Sequence, residues 1–223
     1  MKNRRGLSRR ELTRHLGIAA GIATLSPGFA IAKAIEATPA QVEGPFYPVI
    51  EQADKDLDLT RIKGHSQTAA GEIILVRGRV FDTRAQPLKN VLVDVWQANH
   101  HGRYNHPEDK NPAPLDPHFQ GWGLIRTDAD GFYNLKTIKP APYPLSAVSE
   151  SGWRPRHIHF KVSQPGFEAL TTQMYFRGDP LIAQEAELQR LSEARRELLI
   201  SDATPDAASG LPLFRFDIVL TTA

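Results

Sequence analysis

Residues 154–160 read Arg-Pro-Arg-His-Ile-His-Phe and, from His157 onward, alternate in the way typical of a β-strand. Successive side chains of a strand point to opposite faces, so His157 and His159 are expected on one face, about 7 Å apart along the backbone. Ile158 and Phe160 would lie on the other face, buried against a hydrophobic core. The stretch therefore predicts a strand whose core side fixes the backbone and whose other side presents two imidazoles.

Short runs rich in β-branched and aromatic residues recur on both sides of this stretch, separated by turn residues. They are residues 73–81, 91–96, 132–138, 157–162, 170–176 and 213–220. Several short strands at this spacing predict a β-sandwich or barrel. One helix is predicted to interrupt the pattern at residues 183–199, where the leucines fall near one stripe. The expected fold class is all-β, with long loops and one helix in the C-terminal half.

Length and composition favour one folded soluble domain. The chain has 223 residues, 41% of them hydrophobic and 23% charged, and all-β domains of this size commonly stay undivided. The first 32 residues hold six of the 27 Lys and Arg but one of the 25 Asp and Glu, which leaves 21 basic against 24 acidic side chains. A mildly acidic domain offers no basic stripe for nucleic acid. With no cysteine, any metal would need His, Tyr or carboxylate ligands.

Residues 1–32 have the three-part layout of a secretory signal peptide. A basic region precedes an apolar stretch at residues 16–25, and Ala30-Ile31-Ala32 forms an A-x-A pattern. The apolar stretch is shorter than the roughly 20 residues that a membrane-spanning helix needs. Residues 8–12, Ser-Arg-Arg-Glu-Leu, also resemble a twin-arginine signal. We therefore expect export to the periplasm or the medium, with no membrane attachment after cleavage.

The mature domain is expected to cover residues 33–223. Its first part, residues 33–70, is predicted to form an arm that contains the segment Glu-Gly-Pro-Phe-Tyr-Pro at 43–48.

Two histidines on one face of a strand do not by themselves establish a metal site. Two hydrogen-bonded histidines on a half-exposed face would give the same pattern. The same strand could also contribute to a zinc site, so the remaining ligands decide the chemistry.

Three other segments accompany this strand. They are Asp94-Val95-Trp96-Gln97-Ala98-Asn99 with Gly102-Arg103-Tyr104, Ile138-Lys139-Pro140-Ala141-Pro142-Tyr143-Pro144, and Thr172-Gln173-Met174-Tyr175-Phe176. With them the chain resembles the intradiol ring-cleavage dioxygenases, most closely the protocatechuate 3,4-dioxygenase branch. The resemblance also includes the arm segment and the C-terminal run, so it spans nearly the whole mature chain.

The resemblance implies a non-haem ferric ion held by Tyr104, Tyr143, His157 and His159. Tyr143 and His157 would be the axial pair, and Tyr104 and His159 would be equatorial. Phenolate ligands stabilise the ferric state, whereas a site of two histidines and one carboxylate would suit ferrous oxygen activation.

Two further residues match positions near the family's substrate. Arg154 would stabilise anionic intermediates, and Gln173 would line the same pocket. Tyr143 would also act as a base towards the substrate. The other candidate histidines match no ligand position; they are His100, His101, His106 and His118.

The implied activity is cleavage of a catechol-type ring between its two hydroxyl-bearing carbons by O2, which gives a cis,cis-muconate-type diacid. The protocatechuate branch usually follows Pro-Tyr-Pro with Trp and Arg, but this chain has Leu145 and Ser146. That departure leaves protocatechuate, catechol and other substituted diols open as substrates. The expected assembly is a homo-oligomer or a complex with a related second subunit. A non-catalytic β-sandwich that binds a ligand or metal is the alternative from another class, and a zinc hydrolase is a second one.

Overall fold

The computed structural model describes residues 34–52, 54–145 and 152–223. The predicted signal peptide, residues 1–32, therefore lies outside the described residues. Within the described ranges, no helix has both the length and the apolar character needed to cross a membrane.

Two five-stranded sheets and one short two-stranded ladder make up the described fold. The first sheet contains β1 (Ile73–Asp82), β4 (Phe132–Ile138), β10 (Ala203–Pro205), β11 (Pro212–Arg215) and β12 (Ile218–Leu220). The second sheet has the order β3-β2-β7-β8-β9, with β2 (Leu92–Trp96), β3 (Trp122–Arg126), β7 (His157–Ser163), β8 (Leu170–Phe176) and β9 (Ile200–Ser201). The ladder pairs β5 (Tyr143–Pro144) with β6 (Trp153–Arg154).

The two sheets share one hydrophobic core, which confirms the predicted all-β sandwich. Phe160 of the second sheet packs 5.0 Å from Phe216, the residue directly after β11, and Phe176 packs 4.8 Å from Phe214 of the first sheet (ring centroids). These aromatic side chains are at most 3% exposed. Burial of such large rings contributes much of the free energy that holds the sheets together.

Strand β7 has two buried faces. Ile158 and Phe160 are fully buried in the core between the sheets, as the alternation predicts. His157 and His159 point the other way and are also buried, at 2% exposure each. The N-terminal arm lies against this outer face: the Gln41 amide donates to the Thr171 carbonyl of β8 at 2.8 Å, and a side chain at Gly44 would lie 3.8 Å from the His159 ring.

The predicted C-terminal strand, residues 213–220, is in fact two strands, β11 and β12. Both pair in parallel with β1, on either side of Gly78. A side chain at Gly78 would overlap the carbonyl oxygen of Phe216, so the close approach of the two backbones requires glycine there. Asp217 accepts a hydrogen bond from the Arg79 amide at 2.8 Å, which holds the break between the two strands.

The prediction of one helix at residues 183–199 is wrong. The segment holds a 3-10 helix (Pro180–Gln184) and two short α-helices, α1 (Ala186–Gln189) and α2 (Glu193–Glu197). The Ser192 side chain accepts a hydrogen bond from the Arg195 amide and so caps α2, which competes with continuation of α1. Sequence patterning also missed β3, because Gly123 interrupts its run of strand-forming residues.

Candidate metal centre

The four predicted ligand side chains meet at one point beneath the arm. The Nε2 atom of His157 lies 3.4 Å from the Tyr143 Oη, 3.5 Å from the Tyr104 Oη and 3.1 Å from the Nε2 of His159. The His159 Nε2 in turn lies 3.2 Å from the Tyr104 Oη. None of the four residues is more than 7% exposed. Two nitrogens and two phenol oxygens therefore face one another in a buried position.

Local structure brings the two tyrosines to the histidines. Tyr143 lies in β5, where it pairs with Arg154 of β6, a few residues before β7. Tyr104 follows β2 in a loop, and its amide donates to the Asp109 carboxylate at 2.7 Å. Gly102 has a φ of 79°, and a side chain there would clash with the Pro142 carbonyl. Glycine thus lets the Tyr104 loop lie against the loop that carries Tyr143.

The donor set fits a metal ion. Ligand atoms about 2.0–2.1 Å from one ion lie roughly 3.0–3.4 Å from one another, close to the separations seen here. The His157 Nδ1 donates to the Pro155 carbonyl at 2.7 Å, which leaves the lone pair of its Nε2 directed at the other three donors. No group of three or more His, Asp or Glu side chains suited to a metal occurs in the described ranges. The centre therefore depends on both tyrosines.

Burial and one nearby cation set the charge of the four donors. Burial, and then the charge of Arg154, lower the pKa of His157 and of His159 well below the ordinary value, so both imidazoles are neutral at neutral pH. Burial raises the pKa of Tyr104 and of Tyr143, while Arg154 opposes that rise. In the absence of a metal both phenols are therefore protonated. A bound cation would be needed to convert them to phenolates.

Arg154 and Gln173 contact each other beside the centre, and Arg154 lines the pocket described below, whereas Gln173 is not among the residues that line it. The Arg154 guanidinium donates to the Gln173 Oε1 at 2.9 Å, to the Tyr175 hydroxyl at 3.2 Å and to the Glu185 Oε2 at 3.0 Å. Gln173 also donates to the Val42 carbonyl at 2.8 Å, which ties β8 to the arm. The side chains of this network are buried, so Arg154 is held in one position.

Sequence reasoning missed Tyr175 and Glu185 in this network. Tyr175 could have been found, because it lies two residues after Gln173 on the same face of a strand and directly opposite His157. Glu185 gives no such signal, since it caps α1 in a segment that was predicted as one continuous helix.

A pocket of about 300 Å³ opens next to the centre. Tyr143 and Arg154 form its inner wall, and apolar residues form much of the rest, including Pro45, Phe46 and Trp153. Phe46 also packs on the Tyr104 ring, 4.9 Å between centroids. A flat aromatic molecule placed in this pocket would lie against Tyr143.

The remaining histidines lie in loops. The His100 and His101 rings lie 3.6 Å apart (centroids) and are tilted by 43°, and His118 lies near His65. His106 lies 5.8 Å from Phe46. In the part of the chain that the structure describes, none of these rings stacks on or hydrogen-bonds to one of the four ligand side chains.

Comparison with known proteins assigns the family. A family model described as Dioxygenase matches residues 42–222. The protocatechuate 3,4-dioxygenase beta chain of Burkholderia cepacia is 45% identical over 179 residues, which cover 79% of this chain and 76% of that protein. The chain belongs to the intradiol ring-cleavage dioxygenases.

Other proteins similar to this intradiol dioxygenase differ in how much of their own length the match covers. Catechol 1,2-dioxygenase 2 of Acinetobacter lwoffii is 37% identical over 163 residues, or 65% of this chain, and the match spans only 53% of that protein. A solved dioxygenase domain from a carbohydrate-binding fusion protein of Streptomyces sp. SirexAA-E superposes with a TM-score of 0.60 at 31% identity. The superposed part covers 84% of this chain and 100% of the solved domain. The shared part is thus the catalytic β-sandwich.

Proposed function

We propose that this intradiol dioxygenase binds a non-haem ferric ion and uses O2 to cleave a catechol-type ring between its two hydroxyl-bearing carbons. The product would be a cis,cis-muconate-type diacid. The observation that carries this proposal is the convergence of four donor atoms. The Nε2 of His157 lies within 3.5 Å of both phenol oxygens and of the His159 Nε2, and the His159 Nε2 lies 3.2 Å from the Tyr104 oxygen. A pocket of suitable size opens beside that point.

The ligands would be Tyr104, Tyr143, His157 and His159. Two phenolates would offset two of the three charges of a ferric ion and so favour that state, whereas two neutral imidazoles add no charge. When bound, the ion would supply a Lewis acid that draws the catechol oxygens towards it and activates the ring towards O2.

Tyr143 is the residue that both lines the pocket and belongs to the ligand group. As a phenolate that holds the ion, Tyr143 could therefore accept a proton from a substrate hydroxyl at the inner end of the pocket. Arg154 lies beside Tyr143, and its positive charge opposes the rise in the pKa of Tyr143. The same charge would stabilise the anionic oxygens that form as the substrate loses its protons. Phe46, Pro45 and Trp153 would hold the ring and keep water from this end of the pocket.

The decisive experiment adds catechol, protocatechuate and other substituted catechols to the iron-loaded protein without air, followed by O2. We expect a visible absorption band before substrate, a shift of that band on anaerobic binding, and bleaching with O2 uptake. A shift without O2 uptake would instead indicate a binding module. A colourless protein that contains zinc and no iron would support the hydrolase alternative.

We also propose that the protein is exported and that it assembles with further chains. Residues 1–32 support the export proposal, and replacement of Arg9 and Arg10 by lysine should keep the protein in the cytoplasm. The similarity to a protein named as a beta chain supports a homo-oligomer or a related second subunit. Light scattering of the protein expressed alone separates these two assemblies, because only the first would form without a partner.

A further inference from the structure

The two histidines of the centre are held in different ways. His157 donates from Nδ1 to the Pro155 carbonyl at 2.7 Å. The Nδ1 of His159 is buried and has no hydrogen-bond partner among the described residues. A metal-binding histidine usually donates its second ring nitrogen to a carbonyl, a carboxylate or water, which fixes the ring. Another contact must therefore orient the His159 imidazole.

Trp96 makes that contact. Its ring stacks on the His159 ring with centroids 4.7 Å apart and an angle of 7° between the planes. The two residues are directly opposite each other in the β2–β7 ladder, so the backbone places the rings side by side. Trp96 is 1% exposed and therefore has little freedom to move away. A large flat ring in this position hinders rotation of the imidazole out of the stacked plane.

Tyr47 of the arm also packs against Trp96. The Tyr47 ring meets the Trp96 ring nearly at a right angle, 81°, with centroids 5.0 Å apart. The Tyr47 hydroxyl donates to the Asp94 Oδ2 at 2.6 Å, and the Trp122 Nε1 donates to the Asp94 Oδ1, also at 2.6 Å. Asp94 thus anchors the arm ring that supports Trp96.

We propose that Trp96 is a positioning residue that orients His159 towards the metal by stacking, and that Tyr47, anchored on Asp94, keeps Trp96 in place. The N-terminal arm is then part of the support of the metal centre as well as a wall of the pocket. This inference rests on the metal site of the proposed function.

The test compares Trp96→Leu, Trp96→Phe and Tyr47→Phe with the wild type, all as the full iron-loaded chain. Two quantities are measured: the rate at which a chelator removes iron, and the wavelength of the tyrosinate-to-iron absorption band. Loss of a residue that orients a ligand typically costs about 10- to 100-fold in metal affinity. We expect Trp96→Leu to lose iron about tenfold faster and to shift the band. Trp96→Phe, which keeps a ring, should restore most of both properties.

Phe214→Leu is the matched control, because it removes a buried aromatic ring from the main core, where Phe214 packs on Phe176. It should lower the stability but leave the iron-removal rate and the band unchanged. Equal effects of Trp96→Leu and Phe214→Leu on these two readouts would overturn the proposal.

Tyr47→Phe decides the matter if Trp96→Leu does not fold, since it removes only the hydroxyl that bonds to Asp94. A faster loss of iron supports the proposal, and a rate equal to that of the wild type overturns it. If the wild-type protein takes up no iron, the metal site of the proposed function is contradicted, and this inference with it.

Discussion

Glu185 and Arg154 form a buried ion pair, with 3.0 Å between the Glu185 Oε2 and the Arg154 Nε. Their side chains are only 6% and 9% exposed. Burial by itself lowers the pKa of Arg154, but Tyr143, Tyr175 and Glu185 together raise it above the usual value, so the guanidinium stays charged. The pair therefore connects the start of α1 to the cation beside the metal centre.

Replacing Glu185 by glutamine should destabilise the protein and reduce its activity. Removing one partner of a buried ion pair leaves the other charge without compensation, which typically costs about 3–5 kcal/mol. A displaced Arg154 would also lower kcat, because it is the cation beside Tyr143. Urea denaturation at a fixed iron content and steady-state O2 uptake measure the two effects.

Glu187→Gln is the control for this change. Glu187 pairs with Arg190 at 2.7 Å, but the Arg190 side chain is 69% exposed, so the pair is worth less than about 0.5 kcal/mol. Equal losses of stability in Glu185→Gln and Glu187→Gln would show that the buried pair of Glu185 and Arg154 contributes no more than the exposed pair of Glu187 and Arg190.

Gln173→Ala should raise KM more than it lowers kcat. Gln173 donates to the Val42 carbonyl at 2.8 Å and accepts from Arg154, so its loss frees one wall of the pocket and one side of the guanidinium. Thr172→Val is the matched control, since the Thr172 hydroxyl donates to the Pro39 carbonyl of the same arm, also at 2.8 Å. Either change should cost about 1 kcal/mol of stability, but only Gln173→Ala should change KM. A similar KM in both variants would contradict the assigned role of Gln173.

Loss of a ligand side chain should remove colour and activity together. His157→Ala leaves three donors and should bind iron poorly, whereas Tyr104→Phe keeps the ring and loses only the phenolate oxygen. We expect ring cleavage to fall at least about 100-fold in both, and iron content per chain and visible absorption to fall with it. His101→Ala should behave as the wild type, because His101 lies in an exposed loop. Full colour in Tyr104→Phe would exclude Tyr104 as a ligand.

Most of the metal centre could be predicted from the sequence, but less of the structure around it. The His157 to Phe160 alternation predicts the strand and its two faces because strand geometry is local. The meeting of Tyr104 and Tyr143 with that strand depends on long-range packing, so family resemblance predicted it and spacing did not. Glu185 was missed because an ion pair between distant segments leaves no mark in either segment.

The same limit applies to the arm and to the helical region. The stacking of Trp96 on His159 and its support by Tyr47 arise from strand pairing and arm docking, which no local pattern encodes. The helical region was predicted incorrectly because leucine spacing does not register the cap at Ser192.

The metal-free protein should lose stability as the pH falls below neutrality. Burial and Arg154 hold the pKa of His157 and of His159 well below the ordinary value, whereas both would titrate near 6.5 in the unfolded chain. Between the folded and the unfolded pKa the unfolded chain binds more protons, so acid favours unfolding. Each histidine contributes a slope of up to about 1.4 kcal/mol per pH unit in that window. Urea denaturation at about pH 7.5 and about pH 5.5 measures the loss.

The double variant His157→Gln, His159→Gln should lose much less stability over this pH range, because it lacks both buried imidazoles. His101→Ala should lose as much stability as the wild type. Equal losses in all three proteins would contradict the prediction.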